Sequence, residues 1–246
     1  MQSLPRPWAP SSLNEGARLR ANADVHLWLL ALDGVAPAVE ALLAPDEQQR
    51  ASRFVFEADA RRYRAAHGLL RRVLGHYLDA PAASLRFELG PAGKPHLAGA
   101  HAGSGLHFNL SHSGPHGLLG LARHALGVDI EQARPMPDMH ALAHSNFASV
   151  EVRTLLALPA HLQQDGFFAC WTRKEAVVKA LGGGLSIPLA DFDVSVDPRD
   201  AARLHALPGH APTSAWTLWG ERARPGVWTA VAVAVGQAEI HAFALC

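Results

Sequence analysis

Residues 59–78, DARRYRAAHGLLRRVLGHYL, repeat apolar side chains at helical spacing without a break, and no other stretch restricts the fold as much. A helix of that length is amphipathic and must lay its apolar stripe on a complementary face. Strand-like runs stand on either side of it: DVHLWLLAL (24–32) before, and LRFEL (85–89), LHFNLS (106–111) and GLLGLAR (117–123) after. Short helical material runs through PDEQQRASR (45–53), and GPAGKPHLAGAHAGSG reads as Gly/Pro-rich loop.

The order then recurs. LGVDIE (126–131) is a strand, two helical stretches follow at about 138–158 and 161–181, and FDVSV (192–196), AWTLW (215–219), WTAVAVAV (228–235) and EIHAFAL (239–245) are further strands. Each half is a strand, helical material and a set of strands, with no repeat at the level of residues. Element order alone therefore suggests a duplicated α+β architecture.

With 49% hydrophobic and 18% charged residues, the 246-residue chain has the make-up of a packed globule. Its 22 basic and 22 acidic residues balance, so there is no overall electrostatic case for nucleic acid or anionic membrane. The N-terminal residues lack a signal-type apolar core, and the early apolar run from Val25 to Leu32 is too short to span a bilayer. Cys170 and Cys246 are too few for a disulfide framework or a thiolate metal site, which points to the cytoplasm. Only three of the 22 cations are lysines, Lys94, Lys174 and Lys179, so a compact ammonium is used sparingly in a chain rich in arginine.

Several short stretches carry chemistry. In GVDIE, Asp129 and Glu131 share one strand face, where two carboxylates repel unless a cation neutralises them; oxygen-only ligands suit Mg²⁺. In FNLSHSG, Asn109, Ser111 and Ser113 alternate on one side with His112 among them, an anion-binding set or simply a polar strand exit. In CWTRKEAVVKALGGGL, Trp171, Glu175 and Lys179 recur at a spacing of four on one helix face. Alone, Glu175 and Lys179 are an i,i+4 pair worth about 0.3–0.5 kcal/mol. That face is either a solvated stripe or half of an active site. Arg50, Arg53, Arg61 and Arg62 precede or open the long helix, and Lys94 stands in GKP. The fifteen histidines are scattered without a His-Glu-x-x-His motif, so zinc is not expected.

In order, GKP, FNLSHS, GVDIE and WTRKEAVVKALGGGL resemble the motifs of the 4′-phosphopantetheinyl transferase superfamily, in particular its large monomeric Sfp-like class. Every fixed position of W-x-x-K-E-x-x-x-K-x-x-G-x-G-L is matched. The resemblance implies a pseudo-twofold α+β fold of two similar halves, 1–124 and 125–246, each a small, mainly antiparallel sheet packed on a long helix, with coenzyme A between them. It implies Mg²⁺-dependent transfer of the 4′-phosphopantetheine arm of coenzyme A to a serine of an apo carrier protein, releasing adenosine 3′,5′-bisphosphate.

By the same resemblance Asp129, Glu131 and Glu175 hold Mg²⁺, Glu175 takes the serine proton, and Lys179 steadies the pyrophosphate. Ser111 and His112 bind coenzyme A phosphates, Arg62 and Lys94 sit at its nucleotide end, and Arg50 and Arg53 are further phosphate donors. A monomer acting on acyl, aryl or peptidyl carriers is implied, serving fatty-acid, polyketide or nonribosomal-peptide synthesis. Two other readings use the same residues: a metal-dependent phosphoesterase, and a non-catalytic module that binds coenzyme A or carriers.

Overall fold

The structure is a computed structural model that describes residues 8–11, 13, 19 and 21–245, the side chains of residues 9, 10 and 185 excepted. The N-terminal reading over residues 1–7 and Cys246 therefore lie outside the described residues. The elements run β1 (Ala9–Ser11), β2 (Asp24–Ala31), α1 (Pro37–Glu40), α2 (Pro45–Ala51), α3 (Glu57–Leu78), β3 (Arg86–Leu89), β4 (Pro95–Ala98), β5 (His107–Ser113) and β6 (His116–Ala122). Then come β7 (Leu126–Gln132), α4 (Met139–Asn146), α5 (Ser149–Ala157), α6 (Ala160–Leu181), β8 (Asp193–Val194), β9 (Leu204–Ala206), β10 (Thr217–Arg224), β11 (Val227–Val233) and β12 (Glu239–Leu245).

Two sheets and two long helices stack as layers. The first sheet, in the order β1-β12-β2-β6-β5, turns Trp28, Leu30, Leu119 and Leu121 onto Leu69, Leu70, Val73 and Leu74 of α3. Its other face, with Val25, Leu27, Leu29 and Leu118, meets Leu126, Val128, Ile130, Val231 and Val233 of the second sheet, β10-β11-β7. The far side of that second sheet, with Trp228, Ala230 and Ala232, packs on Phe168, Ala176, Val177 and Ala180 of α6. Residues 24–30 of β2 and 126–130 of β7 are buried on both faces, so each strand serves two layers. The fold is thus α+β, with one sheet on each long helix.

The first sheet is mixed and not mainly antiparallel. β12 runs parallel to β2, pairing His241 with His26, and β1 runs parallel to β12. A strand from late in the sequence therefore completes the sheet of the first half.

Three local expectations need correction. Residues 95–98, read as loop because of the surrounding glycines and prolines, form β4 and pair with β3, Phe87 opposite Leu97. The helical stretch at 138–158 is two helices, broken where Phe147 and Ala148 turn extended (ψ 151° at each) and both side chains are buried. Strand 192–196 shortens to two residues, paired with β9, which lacks any alternation long enough to read.

One device appears in both halves. Glu47, in the first turn of α2, accepts the Ala44 N–H at 2.9 Å and receives Arg71 Nε from α3 at 2.6 Å. Glu151, in the first turn of α5, accepts the Ala148 N–H at 2.8 Å and receives Lys174 Nζ from α6 at 2.8 Å. All four side chains are buried. A short helix is thereby capped and bolted to the long helix of its own half by a desolvated ion pair. No helix among the described residues is long and apolar enough to cross a membrane.

Candidate active site

The acids of β7 face α6. Gly127, Asp129 and Glu131 lie on one side of the strand, with Leu126, Val128 and Ile130 buried on the other. Gly127 is what lets the two elements touch: a Cβ there would stand 2.2 Å from both Ala176 O and Ala180 N. At that separation Lys179 Nζ reaches Asp129 Oδ1 at 2.6 Å and Ser111 Oγ at 3.1 Å. The i,i+4 pair with Glu175 is not made; the ion pair of Lys179 is with Asp129.

Asp129 is 3% exposed, and Ser111 Oγ also donates to its Oδ1, at 2.9 Å. Its second oxygen, Oδ2, is buried and has no hydrogen-bond partner among the described residues. Burial raises the Asp129 carboxyl above the usual range, with Lys179 and Ser111 pulling the other way. Glu131 is raised by burial and then by the charge of Asp129, against a 2.7 Å hydrogen bond from Ser113 Oγ. Glu175 is raised by burial and by the charges of Asp129 and Glu131, with Lys179 opposing. Glu175 thus feels both acids of β7 across the β7–α6 gap, and Glu131 feels Asp129.

Carboxylate oxygens only, mutual repulsion and one unpartnered buried oxygen together fit a hard divalent cation such as Mg²⁺. The three do not converge closely. Among the described residues, the group whose ligand atoms all lie within 4.8 Å is Asp24, His26 and His241, on β2 and β12. Mg²⁺ commonly keeps several waters and takes few protein ligands, which suits carboxylates set further apart. The sequence contains two His-x₃-His spacings, His112 with His116 across the β5–β6 turn and His140 with His144 on α4; the second pair is exposed, and His140 Nε2 stands 3.0 Å from Gln163 Oε1.

The FNLSHS side chains do something the sequence did not reveal. β7 is the edge of its sheet, and its outward amides are met by side chains of β5. Asn109 Oδ1 accepts the Val128 N–H at 2.8 Å, and Ser113 Oγ accepts the Gln132 N–H at 3.1 Å. The alternation of Asn109, Ser111 and Ser113 is therefore a seam that fastens one sheet to the other beside Asp129 and Glu131. His112 is held below the ordinary histidine value, by desolvation first and then by the charges of His67 and Lys179. It favours neutral imidazole over the imidazolium expected for an anion site.

The basic residues divide. Arg50 and Arg53 line a cavity of about 580 Å³ with Asp46, Gln49 and Phe54. Arg50 stands 5.9 Å from the ring centre of Tyr63, which stacks on His67 at 4.1 Å. His112 feels the charges of both His67 and Lys179. Arg62 is tied to Asp33 at 3.0 Å on the surface. Lys94 turns inward, donating to Leu126 O and Lys179 O, both at 2.7 Å. Lys174, beside Glu175, is fully buried and also donates to Phe192 O at 2.6 Å. Trp171 stacks on Phe167 at 5.7 Å, behind the reactive face. All three lysines bridge separate elements, and a compact ammonium suits such cross-links better than a planar fork.

Two layered α+β halves joined at a carboxylate and lysine cluster define a class, and comparison with known proteins supplies it. A family model described as the 4′-phosphopantetheinyl transferase superfamily matches residues 125–235, and one described as 4′-phosphopantetheinyl transferase, N-terminal, matches 35–122. The transferase HetI of Nostoc is 37% identical over 199 residues, covering 79% of this chain and 81% of its own. A putative transferase of Synechocystis is 34% identical over 195 residues, 78% of each chain. Sfp of Bacillus subtilis is 29% identical over 170 residues, 69% of this chain and 74% of its own. The chain belongs to the 4′-phosphopantetheinyl transferase superfamily.

Proposed function

We propose that the chain moves the 4′-phosphopantetheine arm of coenzyme A onto a serine hydroxyl of an apo carrier protein at the β5–β7–α6 junction, with Mg²⁺. Adenosine 3′,5′-bisphosphate is the leaving group. The observation that carries this reading is the cluster itself: Lys179 on Asp129 Oδ1, the opposite oxygen unpartnered, and Glu175 on the facing helix under the charge of two neighbouring acids.

The reaction forms a bond from the serine oxygen to phosphorus and breaks the pyrophosphate bridge, so negative charge must be met and a proton removed. Asp129, Glu131 and Glu175 are the residues that would hold Mg²⁺, which supplies Lewis-acid neutralisation of the pyrophosphate oxygens. Glu175 takes the serine proton; a carboxylate raised by burial and like charge is a better base than a solvated one. Lys179 uses two of its three N–H donors on Asp129 and Ser111, which leaves a third for a phosphate oxygen. Ser111 and His112 border the same phosphates, and His112 serves as a neutral hydrogen-bonding ring.

The nucleotide end lies toward residues 1–124, where Arg50 and Arg53 line the cavity and Arg62 stands nearby in sequence, and the chemistry belongs to 125–246. We take the chain to act as a cytoplasmic monomer. The test is incubation with coenzyme A, Mg²⁺ and apo carrier protein, followed by intact mass. A carrier mass gain of one phosphopantetheine is expected. No gain on fatty-acid, polyketide or peptide-synthetase carriers, or turnover of coenzyme A without a carrier, would overturn it.

A further inference from the structure

Asp24 and His26 alternate along β2 on the α3 side of the first sheet, the face that also carries Trp28 and Leu30. β12 runs beside them with Glu239 and His241 at the same period, and the parallel register sets Glu239 opposite Asp24 and His241 opposite His26. Two carboxylates and two imidazoles thus hold neighbouring positions on one face. Carboxylates directly opposite each other repel, and a bound cation removes that repulsion. No local spacing announces the group, because its members come from opposite ends of the chain.

The donors converge. One ligand atom from each of Asp24, His26 and His241 lies within 4.8 Å of the other two. Asp24 and His26 are buried, while the His241 side chain is 35% exposed, so an ion can enter from its side. The two imidazole rings stand edge to face with centres 5.2 Å apart. Outer contacts hold the donors in place. Asp24 Oδ2 accepts the Ala21 N–H at 2.8 Å. His26 Nδ1 is 2.5 Å from the Tyr77 hydroxyl, which also accepts the Trp28 Nε1–H at 3.1 Å. A ligating histidine commonly donates its second N–H to an oxygen, and in that tautomer Nδ1 donates to Tyr77 while Nε2 is the nitrogen a metal takes.

We propose that Asp24, His26 and His241 form a second metal site, for Zn²⁺ or a similar divalent transition metal, with water as the fourth ligand. Two imidazole nitrogens and one carboxylate oxygen suit zinc, whereas the all-oxygen cluster of β7 and α6 suits Mg²⁺. The site stands apart from that cluster. His26 is about 17 Å along β2 from Ala31, at the rise of a strand, and Ala31 pairs with His116, the partner of Ser113. Its donors meet only when β12 lies on β2, so the metal binds the folded chain and fastens the last strand to the first sheet.

The test takes the untagged full chain, stripped with a chelator and titrated with Zn²⁺ in the presence of excess Mg²⁺. One equivalent should bind, and the thermal midpoint should rise with added Zn²⁺. His241→Gln, at the partly exposed position, should lose both the bound equivalent and the shift. Glu175→Gln should keep both, which separates this site from the carboxylates of β7 and α6. Tyr77→Phe should weaken Zn²⁺ binding about 10–100-fold by releasing the His26 ring. Co²⁺ in place of Zn²⁺ should give the visible absorption of a four-coordinate centre in the parent and not in His241→Gln. If His241→Gln does not fold, the Glu175→Gln and Tyr77→Phe titrations decide alone. A parent that binds no Zn²⁺, binding that survives His241→Gln, binding lost in Glu175→Gln, or unchanged affinity in Tyr77→Phe would each overturn the inference.

Discussion

Lys179 sends its ammonium across to Asp129 on β7, 2.6 Å away, and not along its own helix to Glu175. That choice leaves the Glu175 carboxylate without a hydrogen bond from the described residues, in a setting that raises its pKa. It also puts a cation on the most buried acid of the three. Base and phosphate clamp are thereby separated, although they sit one turn apart on the same helix.

Asp129→Asn keeps the shape of the side chain and removes its charge. Transfer should fall at least about a hundredfold, as when a group that organises charge at a reacting phosphorus is lost. The thermal midpoint should stay or rise, because burial already disfavours the carboxylate and Lys179 can turn toward solvent. The mass assay and a melt on the same sample check both halves of the expectation.

Glu175→Gln should slow transfer by about 10²–10⁴-fold, the range for removal of a general base. Coenzyme A should still bind when titrated calorimetrically, since the cavity by Arg50 and Arg53 is untouched. Retained turnover would take Glu175 out of the proton transfer.

Lys174→Met strands Glu151 as an unpaired buried charge and should cost about 3–5 kcal/mol in urea unfolding. The double replacement with Glu151→Leu should recover only part of that. Glu151 also accepts the N–H groups of Ala148 and Val194, and they would lose their partner.

Lys94 gives a pH signature in stability. Its folded pKa, lowered by burial to about 8, lies below the ordinary 10.5, so between those values the unfolded chain binds more protons. Stability from this group therefore rises with pH across that window and is lost as pH falls through 8. His107, held below the usual histidine value by burial and then by the charges of Lys94 and His124, is neutral throughout it. Urea unfolding at pH 8 and at pH 10 should show the parent gaining on Lys94→Met; a flat difference would remove burial as the cause.

Long periodic stretches were legible: α3, α6, β2, β7 and β11 lie within a few residues of where spacing puts them, because burial on a fixed face enforces the period. So was the sharing of one strand face by Asp129 and Glu131. The targets of polar side chains were not. Nothing local says that Lys94 reaches from the GKP turn to two carbonyls in the other half, or that Ser113 meets the edge of β7. β4 was hidden by glycine and proline, whose turn signals flank a strand with little alternation of its own. The parallel placement of β12 was hidden too, since the same alternation fits an antiparallel partner.

β12 has a kinetic consequence. Residues 24–29 of β2 pair along one edge with residues 239–244, so one side of that central apolar strand stays open through most of synthesis. A pairing this distant in sequence makes chain closure costly and folding slow. While the ribosome is still making the intervening residues, the exposed edge of Val25–Leu29 is the segment most prone to pair with another nascent chain.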